Sequence, residues 1–257
     1  MDLIKERNGH LLTLRINRPD ARNAMNPAVM GGLGLGLNEA NNDVDIRAVL
    51  ITATGDKAFC AGMDLRGFAE GTNKAEGDLE LGMKYFIDWM RNGVDVPVIC
   101  AVNGTAVAGG FEVMMSCDMV VASNAAKFGV PEVKRGLFAA GGGVFLAKRI
   151  PAVHAYELCL TGDMISAERA YELGLINYLV SPEEVMPKAI ELAARVTANG
   201  PLAIKATKRL VRSGVDASAV EGWALLDSLR DEVFQSEDAQ EGARAFVEKR
   251  EPQWKGR

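Results

Sequence analysis

Apolar residues follow two rhythms along the 257-residue chain. In the first half, short runs rich in Val, Ile and Leu recur at 10–16, 47–52, 96–102 and 119–122, and their length and β-branched content predict strands. Between them, apolar positions three and four apart predict helices over 27–41 and 79–92. Strands alternating with helices in this way indicate an α/β fold. Beyond Ser181 the helical rhythm is unbroken, predicting helices over 182–198, 201–213 and 217–234, the last with Val220, Trp223, Leu226 and Val233 on one face. A final helix is expected to open at Asp238, with Glu241 three residues on in capping-box spacing, and to carry Ala245, Phe246 and Val247. The expected organisation is therefore an α/β core with the active site over 1–198 and a helical region over 199–257. Trp223 and Phe234 exceed what so thin an appendage buries alone, which points to cover from another subunit.

Composition narrows the function classes. With 48% hydrophobic residues the chain can bury a large core, and a net charge of −5 leaves no general field to attract nucleic acid or an anionic membrane. An anionic ligand must then be held by local basic residues. The four cysteines, Cys60, Cys100, Cys117 and Cys159, are scattered among small or apolar neighbours without a C-x-x-C pair, and read as buried thiols rather than disulfide or zinc ligands. His10 and His154 lie on segments lacking a nucleophile partner, which argues against a Ser-His-Asp hydrolase or a histidine metal site. The first residues show no apolar core behind a basic start, and no run approaches the roughly 18 apolar residues of a membrane span, so a cytoplasmic protein is expected.

Two glycine-bearing segments carry the candidate chemistry. In Val102–Asp118 a strand leads into a helix at Gly109-Gly110, where unpaired N–H groups and the helix dipole favour a ligand oxygen that bears negative charge. The same glycines also suit a plain strand-to-helix turn. In Lys57–Arg66 a second turn offers the Met63 amide as another donor, and two converging N–H groups would suit an enolate or tetrahedral oxyanion. Glu112 on the new helix and Glu132 in Phe128–Gly136 can share a pocket and divide acid and base work between them. Alternatively, Glu112 complements the helix dipole and Glu132 pairs with Lys134 or Arg135. Gly31–Gly36 lies inside a helical pattern and Gly141–Gly143 is read as opening a helix by close packing near the active site; neither has dinucleotide-loop spacing.

The motifs N-R-P-x-A-x-N-A from Asn17, A-G-x-D-L from Ala61, V-N-G-x-A-x-x-G-G-x-E from Val102, F-x-x-P-E-x-x-x-G from Phe128, T-G-D-x-I-S-A-x-x-A from Thr161 and a closing A-F-x-E-K-R occur in one order along nearly the whole chain. Together they resemble the enoyl-CoA hydratase/isomerase, or crotonase, family. That resemblance implies a spiral of ββα units followed by a helical trimerisation region, and a homotrimer or dimer of trimers. It implies an oxyanion hole made by the amides of Met63 and Gly109, with Glu112 and Glu132 matching the hydratase pair that handles the water added across an α,β-double bond. It implies a substrate-binding set of Ala61, Met63, Asp64, Leu65, Arg66, Gly109, Arg22 and Lys249, in which Arg66, Arg22 and Lys249 face the coenzyme A tail and Lys249 reaches a neighbouring subunit's nucleotide. No separate cofactor or metal is implied, since coenzyme A is part of the acyl-CoA substrate. Met63, Ala108, Phe111 and Ala139-Ala140 depart from the usual residues, which leaves the acyl pocket open, and the C-terminal tail is similar to carnitinyl-CoA dehydratases. An isomerase or a specialised dehydratase is the neighbouring alternative. A non-catalytic CoA-binding or RNA-binding protein is the alternative of another class; the acidic balance and the lack of a basic stripe weigh against RNA.

Overall fold

The computed structural model describes residues 1–65, 67 and 75–257. Strands β1 (Leu3–Asn8) and β2 (Leu11–Ile16) form an antiparallel hairpin, and β2 then pairs in parallel with β3 (Ala48–Ala53). Strands β4 (Ala58–Cys60), β5 (Val98–Val102), β6 (Thr105–Val107), β7 (Met119–Ser123), β8 (Lys127–Gly129), β9 (Ile165–Ser166) and β10 (Tyr178–Val180) follow. They build a six-stranded sheet in the order β1-β2-β3-β5-β7-β10 and a four-stranded sheet in the order β4-β6-β8-β9. Each of the pairs β3/β4, β5/β6 and β7/β8 sends its first strand to the large sheet and its second to the small one, the spiral expected of ββα units.

The large sheet is covered on both faces, which is why its central strands read as continuous apolar runs. Because side chains alternate across a strand, Val49 and Ile51, Val98 and Cys100, and Val120 and Ala122 enter one core, while Leu50, Ile99, Ala101 and Val121 enter another. The main core also receives helix α1 (Pro27–Asn42), with Val29, Leu33 and Leu37, and helix α2 (Asp78–Asn92), with Phe86 and Trp89. The glycines of Gly31–Gly36 let α1 lie against α2 at backbone distance: a Cβ at Gly34 would strike the Gly82 carbonyl, and one at Gly82 the Gly31 carbonyl. The second core is closed by helix α6 (Val185–Thr197) through Val185, Ala189, Leu192 and Ala193.

The remaining helices are α3 (Gly109–Ser116), α4 (Ala152–Thr161), α5 (Ala167–Glu172), α7 (Pro201–Ser213), α8 (Ala219–Phe234) and α9 (Glu237–Glu248). The stretch expected as one helix from 182 begins instead with a 3₁₀ turn, Pro182–Glu184, capped by Ser181 and Glu184, before α6. The cap expected at Asp238 is supplied by Ser236, whose hydroxyl accepts from the Ala239 N–H. Asp238 is buried and holds the tail through the N–H groups of Lys255 and Gly256, while Glu241 accepts from Gln253 N–H and Arg250. A capping box does occur at Ser218 and Glu221, where α8 starts.

Helix α7 is tied to the sheets by Lys208, which pairs with Asp118 at 2.6 Å and donates to the Val96 carbonyl at 2.7 Å, and by Arg209, which pairs with Asp95. Farther out, Trp223 and Phe234 stay 65% and 75% exposed. All four cysteines are free thiols, with Cys60 pushed up to about 12 by burial. Among the described residues no helix is long and apolar enough to cross a membrane.

Candidate active site

The first wall of the site is built by the loop from Asn17 to Met25. Arg22 and Asn23 adopt left-handed backbone conformations there. The buried Asn23 side chain fixes this turn: its Oδ1 accepts from the Arg18 N–H at 2.9 Å, and its Nδ2 donates to the carbonyls of Thr54 at 3.0 Å and Ala58 at 2.7 Å. Buried amides paired in this way specify one loop geometry.

The chain then runs alongside Ala61–Asp64. The Ala61 N–H donates to the Arg22 carbonyl, and Met25 forms a parallel bridge opposite Met63, its N–H donating to Gly62 O at 2.8 Å and its carbonyl accepting from Asp64 N–H at 2.9 Å. In such a bridge the middle residue's own N–H points away from its partner strand. The Met63 N–H therefore points away from the Met25 strand. A Cβ on Gly109 would lie 3.8 Å from Met63 N and 2.8 Å from Met25 Cε, and one on Gly62 would lie 3.3 Å from Gly109 N. The two amides are neighbours, and among the described residues neither finds an acceptor. A Cβ on Gly110 would press on Cys60, so that glycine serves the contact of α3 with β4.

Ala108 precedes Gly109 with φ 52° and ψ −133°, a region glycine tolerates far better. Holding alanine there costs on the order of 1–3 kcal/mol, and this strain sits at the turn that aims the Gly109 amide.

Glu112, in the first turn of α3, is buried at 6% exposure, and its Oε1 accepts from the Gly143 N–H at 2.9 Å. Burial raises its pKa, while backbone hydrogen bonds from Gly143 and Gly141 pull the other way. The segment Gly141–Gly143 wraps this carboxyl so closely that a Cβ at Gly141 would lie 2.5 Å from Oε2. The glycine run thus opens a 3₁₀ turn, Gly143–Lys148, by close packing, and does so against Glu112 itself.

Glu132 sits in the 3₁₀ turn Pro131–Arg135, half-buried, with Oε2 sealed from solvent and without a hydrogen-bond partner among the described residues. Burial raises its pKa; its own backbone lowers it, the charge of Glu112 raises it further, and Arg135 lowers it. The coupling to Glu112 places both carboxyls in one electrostatic environment. Lys134 is engaged elsewhere, by Asp163 at 2.6 Å, so it does not neutralise Glu132.

The other expected positions divide. Ala61, Leu65 and Arg22 are exposed, and Met63 is 40% exposed. Asp64 pairs with Arg18 at 2.9 Å. Arg66 lies outside the described residues. Lys249 caps α9 in a left-handed conformation, and no hydrogen bond or ion pair among the described residues joins it to this pocket. Phe111, expected to bear on the acyl pocket, is fully buried against Phe128 with ring centroids 6.4 Å apart, because its position on α3 turns it to the core. His10 bonds the Asp45 carbonyl, and His154 lies by Glu157 and Arg169. Asn23, Arg18 and the backing of Glu112 by Gly141 were not assigned from sequence, although N-R-P-x-A-x-N-A already contained the first two. Among the described residues no group of three or more His, Cys, Asp or Glu could hold a metal ion.

Two adjacent amides without acceptors among the described residues, and two carboxyls of raised pKa, one of them on the helix that Gly109 opens, can be compared with known proteins. The model of the enoyl-CoA hydratase/isomerase family matches residues 6–257. The chain belongs to that family. Among the family's members, the enoyl-CoA hydratase EchA19 of Mycobacterium tuberculosis is 40% identical, over 100% of this chain and 97% of its own length. The carnitinyl-CoA dehydratase of Salmonella arizonae is 38% identical, over 97% of each chain. The crystal structure of an enoyl-CoA hydratase from M. tuberculosis H37Rv superposes with a TM-score of 0.91 at 43% identity, covering 100% of this chain and 99% of the other. A carnitinyl-CoA hydratase structure from Mycobacterium avium gives a TM-score of 0.77 at 42% identity, with the same coverage.

Proposed function

We propose that this crotonase-fold enzyme is a 2-enoyl-CoA hydratase, which adds water reversibly across the 2,3-double bond of an acyl thioester. The observation that carries the reading is the pair Glu112 and Glu132, both raised in pKa and electrostatically coupled, beside the adjacent Met63 and Gly109 amides. The thioester oxygen sits between the amides, which stabilise the enolate more than the ground-state carbonyl. Glu112, favoured in its ionised form by backbone N–H donors, takes a proton from water as the oxygen adds to the β-carbon. Glu132, whose Oε2 has no partner among the described residues and which faces the Glu112 charge, delivers a proton to the α-carbon.

The coenzyme A tail is assigned to Arg22, Arg66 and Lys249, with Ala61, Asp64 and Leu65 flanking the acyl thioester. We divide the chain into the catalytic core, 1–198, and a helical oligomerisation region, 199–257, and place the enzyme in the cytoplasm as a homotrimer or dimer of trimers. The exposed Trp223, Phe234 and Phe246 support a covered C-terminal face.

The test is the loss of enoyl-thioester absorbance on mixing with crotonyl-CoA. Glu112→Gln and Glu132→Gln should each lower kcat by on the order of 10² to 10⁴, with the double variant losing far less than the product. Full activity in Glu132→Gln beside a dead Glu112→Gln would favour isomerase chemistry, and full activity in both would refute the site.

A further inference from the structure

The N-R-P-x-A-x-N-A loop holds a charged residue that the mechanism above does not use. Arg18 donates from Nη2 to Asp64 Oδ2 at 2.9 Å and from Nη1 to the Ala24 carbonyl at 2.5 Å, while its Nε lies 3.4 Å from Asp2 Oδ2. Its side chain and that of Asp64 are 19% and 20% exposed, so the pair is largely withdrawn from water and its geometry is held more firmly than a surface pair's. Ala24 and Asp64 are the immediate neighbours of Met25 and Met63, the two residues of the parallel bridge. One guanidinium thus clasps both strands of that bridge, one through a main-chain carbonyl and the other through a carboxylate. The planar fork of arginine permits this double grip; a lysine ammonium would meet only part of it.

The bridge itself is minimal. Among the described residues two bonds, Met25 N–H to Gly62 O and Asp64 N–H to Met25 O, form the bridge, with Ala61 N–H to Arg22 O beside them, and the bridge turns the Met63 N–H away from the Met25 strand. Removing the clasp leaves the Met63 loop free to tilt, and a small misdirection of an oxyanion donor is felt in the transition state more than in binding.

We propose that Arg18 is a positioning residue for the reaction, aiming the Met63 N–H at the thioester oxygen through Asp64 and Ala24. This rests on the assignment of the Met63 and Gly109 amides as the oxyanion hole. Carbonyl polarisation is read directly with cinnamoyl-CoA, whose conjugated absorption moves to longer wavelength when its thioester oxygen accepts strong hydrogen bonds, alongside crotonyl-CoA kinetics and thermal melting of the full-length protein. Arg18→Met should lose most of the red shift and about tenfold to a hundredfold in kcat, with KM within about threefold. Arg18→Lys should recover part of both. Asp64→Asn, which leaves the Arg18 bond to Ala24 intact, should lose an intermediate share, and the double variant should be no worse than Arg18→Met, as expected of groups acting through one another.

A folded Arg18→Met with the wild-type shift and kcat overturns the proposal. If that variant does not fold, Asp64→Asn decides, and a wild-type shift there overturns it equally. A wild type that hydrates crotonyl-CoA without shifting cinnamoyl-CoA refutes the positioning role alone. A wild type that does neither refutes the hydratase reading and this inference with it.

Discussion

Replacing Gly141 with alanine separates catalysis from stability at the Glu112 cradle. Gly141 is exposed and does not have a left-handed φ, so its backbone accepts alanine without conformational strain. The new methyl carbon would lie 2.5 Å from Glu112 Oε2, 2.9 Å from its Cδ and 3.2 Å from Oε1. Those atoms end a flexible side chain, so the carboxyl moves rather than the fold. To regain ordinary contact near 3.4 Å it must withdraw by about 0.9 Å, which strains or breaks the 2.9 Å bond to Gly143 N–H. A displacement of about 1 Å at a reacting group costs roughly a hundredfold, or about 2.7 kcal/mol of activation free energy. The expected result is a kcat on crotonyl-CoA lowered about a hundredfold, with KM little changed and the melting temperature lowered by no more than about 2–4 °C, the cost of weakening one buried hydrogen bond. The assay is steady-state loss of enoyl absorbance paired with a thermal melt. A stable Gly141→Ala with wild-type kcat would show that the Glu112 carboxyl need not occupy the observed position, and would refute the argument.

Glu132→Gln should raise the melting temperature at neutral pH while lowering kcat by on the order of 10² to 10⁴. The folded pKa of Glu132 is raised above its ordinary 4.5, so its contribution to stability is present below the unfolded value and lost as pH rises through the folded one. The neutral amide escapes that loss, and the advantage should vanish near pH 4; equal melting curves at pH 8 would contradict the sign. Asn23→Ala removes three hydrogen bonds at a left-handed position and should cost about 3 kcal/mol, or roughly 6–12 °C in melting temperature. A melting curve within 2 °C of the wild type would show that the loop is held by other means. Lys249→Ala should raise KM for crotonyl-CoA with kcat unchanged, because contacts to a remote nucleotide persist in ground and transition states alike; an unaltered KM removes Lys249 from the CoA site.

The sequence by itself determined the layout of the α/β core and the residues available for chemistry. Strands β3, β5 and β7 were legible because they are buried on both faces, and α1, α2 and α7 because one face of each packs on a neighbour. The ordered motifs located Glu112, Glu132, Met63 and Gly109, since glycine, acidic and turn positions there are tied to local backbone geometry. The three-residue strands β4, β6 and β8 are too short to show a period, and β1 is an edge strand with mostly exposed side chains, so neither kind announces itself. Only the tertiary structure decided what meets across long intervals of chain: Met25 with Met63, Arg18 with Asp64, and Gly141 and Gly143 with Glu112. It also turned Phe111 inward and made Asp238 a clasp for the tail instead of a cap. Periodicity records whether a position is buried, whereas the identity of its partner depends on how successive ββα turns stack. The adjacent Met63 and Gly109 amides and the carboxyl cradle are both assembled from separate turns, so each becomes visible only once those turns are packed.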